Sequence, residues 1–130
     1  MWIVTNNPLV RDKLSSIVEV QYHDETYLGI LHVMRDQIHE GNCLLTHPLS
    51  GSVKPNETPY KSVLMASGKS GQTDFDSLKL IESAEATAQK FIDLRPHYVE
   101  EMPERVKEDC QLIDYTLIVS AFPSAGLTTL

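Results

Sequence analysis

The chain is poor in the residues that would most quickly betray a function. It has two cysteines, Cys43 and Cys110, far apart in its 130 residues. With no secretion signal in view, they are expected to be reduced cytosolic thiols whose role is packing rather than redox chemistry. No apolar run approaches the ~20 residues a membrane helix needs. The first residues, Met1–Thr5, show no basic region followed by an apolar core, so no signal peptide is expected and the localisation expected is cytoplasmic. Basic residues are outnumbered, 11 Lys and Arg against 18 Asp and Glu, for a net charge of -7. The basic residues are also scattered, which disfavours a nucleic-acid partner.

Standard catalytic and metal motifs are missing as well. Leu49-Ser50-Gly51-Ser52-Val53 is not the Gly-x-Ser-x-Gly elbow of a serine hydrolase. Gly68-Lys69-Ser70 imitates the end of a phosphate-binding P-loop, but the earlier glycine that motif requires is replaced by Val63. A flexible linker is the better reading. His23, His32, His39, His47 and His97 form no close ligand pair. Neither a metal nor a cofactor is implied.

Against these absences stands one unusual segment, Leu44 to Lys61. It holds three prolines, one glycine, two lysines and a histidine. Connections in compact domains are mostly ~4–6 residues long, and longer ordered ones tend to be functional. Ser50-Gly51-Ser52 offers hydroxyls and turned backbone N–H groups, a combination that suits an anion. Lys54 and Lys61 add positive charge, and Asn6 and Asn7 add amide donors. The candidate ligand-binding set is therefore Asn6, Asn7, His47, Ser50, Gly51, Ser52 and Lys54, with phosphate or a carboxylate as the ligand. A rigid surface loop, shaped by proline and capped by Ser and Asn, explains the same composition. His47, at a strand end, stands where a general acid or base could act. Satisfaction by the loop backbone is the competing reading, and no catalytic residue is assigned.

Periodicity organises the rest into a single domain, residues 1–130, with a strand-rich half over 1–67 and a helical half over 74–122. Residues 2–5 and 17–22 read as strands, with a short helix over 9–14 between them capped by Asn6 or Asn7. A helix from an Asp24 cap to about Glu40 ends at Gly41. Residues 43–46 and 62–66 read as further strands. Long helices follow over 75–94 and from about Pro103, the first broken at Arg95-Pro96. Val106, Cys110, Ile113 and Leu117 are expected to line the buried side of the last helix. Pro123–Gly126 reads as a loose tail.

The pattern predicts an α/β fold, a three-layer sandwich with a small, mostly parallel sheet of about four strands and C-terminal helices. With strand one central and strands two and three beside it, the loops after strands one and three would meet at a switch point. Tyr115, Ile118, Val119 and Phe122 exceed one helix face and suggest a homodimer. The acidic run around Glu100–Glu104 is most simply a solvated face, with docking on a basic partner as the alternative.

Thr5-Asn6-Asn7-Pro8, together with Leu45-Thr46-His47-Pro48-Leu49-Ser50-Gly51-Ser52-Val53-Lys54-Pro55-Asn56-Glu57-Thr58-Pro59-Tyr60-Lys61, resembles the GrdX family. These are small proteins associated with glycine, sarcosine and betaine reductase operons of anaerobic bacteria. The likeness covers roughly the first half of the chain. It implies a cytosolic accessory protein of anaerobic amino-acid metabolism whose biochemical role is unassigned, and it carries over no catalytic residues. The leading expectation is an accessory protein that binds a small anion at the loops after strands one and three. The alternatives are a small hydrolase or transferase using His47 as general base, and a docking module for a reductase subunit.

Overall fold

A computed structural model describes residues 1–49, 53–69 and 72–128. In chain order the elements are β1 (Trp2–Thr5), α1 (Pro8–Leu14), β2 (Glu19–Tyr22), α2 (Tyr27–His39), β3 (Asn42–Leu44), β4 (Ser62–Ser67), α3 (Phe75–Leu94) and α4 (Glu104–Ser120). The chain is α/β, with a four-stranded sheet ordered β2-β1-β4-β3.

The sheet is mixed, not mostly parallel. β1 pairs in parallel with β2, whereas β4 is antiparallel to both β1 and β3. The reason lies in the connections. A helical crossover returns the chain in the same direction between β1 and β2, but β3 reaches β4 by a loop, which allows reversal. The expected neighbourhood of strands one and three is also corrected, because β4 lies between them. The two loops nevertheless leave the same end of the sheet. With β4 reversed between them, β3 runs in the direction of β1. The carboxyl ends of β1, β2 and β3 therefore share one end with the start of β4.

Alternating strand residues feed two cores. Val4, Val63 and Met65 pack with α2 and α3, while Ile3 and Leu64 pack with α1 and α4. On α2, Tyr27, Ile30, Leu31, Met34 and Ile38 are buried at helical spacing. Its N-cap is Thr26, not Asp24, and Thr26 Oγ1 accepts from Gly29 N at 3.0 Å. The chain leaves this helix through Gly41 at φ 102°, a conformation that favours glycine.

The last helix is rotated from the expected face. Its buried residues are Cys110, Asp114 and Ile118, while Val106 and Ile113 are exposed. Phe122 continues the row and is buried against Ile3, Val10, Leu14 and Leu64. Tyr115 and Val119 pack on the same cluster. These side chains are taken up within the chain, and Ile118 and Phe122 offer no surface to a second subunit. The presumed tail forms a 3-10 turn over Pro123–Ala125, held by Leu127 N donating to Phe122 O at 2.9 Å.

Candidate functional site

The site starts from the end of β1. Thr5, Asn6 and Asn7 are all buried there, although each carries a polar side chain whose burial without partners would be costly. Asn6 Nδ2 donates to Glu25 O and Pro59 O at 2.9 and 2.7 Å, and Asn6 Oδ1 accepts from Lys61 N at 2.8 Å. One amide thus fastens the end of the long loop to the segment after β2. Asn7 caps α1, its Oδ1 accepting from Leu9 N, and its Nδ2 donates to Gln111 O and Asp114 Oδ2. Both amides are occupied by the protein itself.

Asp114 is the centre of this arrangement. It is 5% exposed in the middle of α4. Its carboxylate accepts from Ser62 N at 3.1 Å, from Ser62 Oγ at 2.6 Å and from Asn7 Nδ2 at 2.9 Å. Ser62 Oγ also contacts Thr5 Oγ1 at 2.6 Å, and Thr5 Oγ1 accepts from Asn7 N. Donor counting then gives the chain a direction. The Ser62 hydroxyl proton is committed to Asp114, so Thr5 donates to Ser62 while accepting from Asn7. Burial pushes the Asp114 carboxyl above its ordinary range, against the pull of Ser62, Asn7 and Lys61. Burial likewise lowers the Lys61 ammonium, opposed by Asp114.

Lys61 is 5% exposed and lines a cleft of about 310 Å3 together with Thr46, His47, Ser62 and Ser120. The far wall is the end of α4, including Leu117 and Ile118. A smaller cavity of about 20 Å3 joins Lys61 to Asp114, Tyr27 and Tyr60. The cleft therefore places a buried cation, an imidazole and hydroxyls at the shared end of β3 and β4.

His47 is exposed, and its Nδ1 accepts from Leu49 N at 3.0 Å. That bond requires an unprotonated Nδ1, so the neutral ring carries its hydrogen on Nε2. The free edge of His47 is a donor, suited to an anion rather than to removing a proton.

Of the candidate residues, His47 lies at the cleft. Asn6 and Asn7 lie behind it, in its scaffold. Lys54 is exposed, with Nζ 5.9 Å from the centroid of the Phe91 ring on α3. Ser50, Gly51 and Ser52 lie outside the described residues. Among the described residues no group of three or more His, Cys, Asp or Glu could hold a metal ion, and no helix is long and apolar enough to cross a membrane.

The family described as GrdX-like protein matches residues 2–123. The chain belongs to the GrdX-like family. No curated protein and no solved structure matches it. The family match extends through both long helices, and so includes Asp114 and its partners in β1 and β4. Asp114 is the residue that sequence reading missed in this GrdX-like chain. Its signal was a lone carboxylate in an otherwise apolar row, Cys110, Asp114, Ile118 and Phe122, at four-residue spacing.

Proposed function

We propose that this GrdX-like chain is a glycine reductase-associated accessory protein that binds a small anion, phosphate or a carboxylate, in the cleft lined by Lys61 and His47. One observation carries the reading: a lysine 5% exposed lines a cleft of about 310 Å3 beside His47, Thr46 and Ser62. A buried ammonium is costly unless an anion or hydrogen bonds compensate it. Asp114 supplies part of that compensation. Lys61 neutralises the ligand's charge, and His47 Nε2–H and the Thr46 and Ser62 hydroxyls orient it. Ser50, Gly51, Ser52 and Lys54 are proposed as the loop's contribution. Asn6 and Asn7 act by holding the loop end and α1 in place. Family membership supports the glycine reductase association, and cytoplasmic localisation and anaerobic amino-acid metabolism accompany it as parts of the proposal.

The Nε2–H tautomer favours binding over general-base catalysis at His47. A thermal-shift series with phosphate, acetyl phosphate and glycine tests the reading. A ligand at ~100 times its dissociation constant stabilises the fold by ~2.7 kcal/mol. The shift should vanish in Lys61→Met and shrink in His47→Ala. A series with no shift, or a shift that survives both substitutions, would sink it.

A further inference from the structure

We propose that a second cavity, at the carboxyl ends of β1 and β2, binds a small substituted ammonium ion. The cavity is about 400 Å3 in volume, and three of its lining residues are Tyr22, Tyr27 and Tyr60. Asp24, Glu25 and Glu100 line it too. Aromatic faces carry negative quadrupole charge, and walls of tyrosine attract cations, quaternary ammonium ions above all. Carboxylates at the same opening add a field of the same sense.

Tyr27 is 6% exposed and lines both this cavity and the small one it shares with Lys61 and Asp114. Tyr60 lines the cavity, and its hydroxyl accepts from Gln111 Nε2 at 3.0 Å. Tyr22 already takes a cation on its ring, the Arg11 guanidinium carbon lying 4.6 Å from the centroid. Asp24 and Glu25 take part in none of the ion pairs among the described residues, whereas Glu100 is 3.3 Å from His97.

Lys107 is the lysine on the lining, and it is partly engaged by Glu104 at 3.8 Å. On the lining itself three carboxylates stand against one lysine, and the Arg11 guanidinium on Tyr22 is paired with Asp12. This chemistry is opposite to that of the Lys61 cleft, so the proposal stands or falls independently of anion binding there.

The test is an NMR titration of the full chain with tetramethylammonium chloride, following the tyrosine ring protons. Sodium chloride at matched ionic strength controls for screening, and tert-butanol controls for apolar contact. Saturable shifts at Tyr22 and Tyr60 with tetramethylammonium alone are expected. Tyr22→Leu should weaken binding about three- to thirtyfold. The exposed pair Asp24→Asn with Glu25→Gln, which leaves the fold in place, should weaken it about two- to fivefold. Shifts that never saturate would overturn the proposal, as would equal shifts with tert-butanol or unchanged binding in the Asp24→Asn, Glu25→Gln variant.

Discussion

Ser62 Oγ donates to Asp114 Oδ2 at 2.6 Å, tying the first residue of β4 to the middle of α4. Because Ser62 also pairs with Thr5 across β1 and β4, one hydroxyl joins two strands and a helix. Replacing it with alanine leaves the Thr5 hydroxyl and the Asp114 carboxylate each short of a buried partner. Ser62→Ala is expected to cost about 1–3 kcal/mol. Asp114→Asn should cost a similar amount, since either orientation of the new amide turns its NH2 toward a donor of Ser62 or Asn7. Urea denaturation should show a lower midpoint with an unchanged slope.

Lys61 and Asp114 together predict a change in pH dependence. Lys61 has its folded pKa lowered by burial, so the unfolded chain binds its proton more tightly. Its contribution to stability therefore rises as pH climbs from the folded toward the unfolded value. Asp114 has its folded pKa raised by burial, so its contribution is greatest below the unfolded value and is lost as pH rises through the folded one. Lys61→Met removes the first slope and, by deleting a cation near Asp114, strengthens the second. Stability of this variant should fall more steeply with rising pH than that of the native chain. Denaturation midpoints measured from the acid range to about pH 10, near the ordinary lysine value, test this. Parallel curves would refute the coupling.

Gly68 lies just beyond β4, and its N–H donates to Gly41 O at 3.1 Å. A Cβ at Gly68 would collide with that same backbone oxygen. Gly68→Ala is expected to force the ends of β3 and β4 apart, at about 1–3 kcal/mol. Amide hydrogen exchange should quicken at Asn42 and Ser67, which face each other in the ladder. Unchanged protection there would mean that the backbone yields without cost.

The rotation of α4 makes a paired prediction. Phe122 is 1% exposed, while Ile113 is 46% exposed. Phe122→Ala should cost about 3–5 kcal/mol. Ile113→Ala should stay within about 0.5 kcal/mol of the native chain. Comparable losses at the two sites would restore the face expected from apolar residues alone.

Much of this protein was legible along the chain. The N-terminal strand, the short helix with Pro8 in its first turn and a cap at Asn6 or Asn7, the stop at Gly41 and the helix over Phe75–Leu94 with its break at Arg95-Pro96 all follow from local chemistry. Caps, prolines, positive φ and 3.6-residue periodicity act within a few residues, so neighbouring letters are enough to read them. The long loop could also be singled out by composition.

What lay beyond reach depends on distant partners. Nothing near β4 says that it will run antiparallel between β1 and β3, because strand pairing is settled by which edges can bury their apolar residues together. Nor does the periodicity of α4 reveal that Asp114 faces inward in place of Ile113. That choice rests on Asn7 and Ser62, 107 and 52 residues away in the chain. Their hydrogen bonds make a buried carboxylate affordable. The sequence by itself determined the helices and the polar loop. Only the tertiary structure decided the strand order, the buried face of α4 and the burial of Lys61, since each is fixed by contacts between residues far apart in the chain.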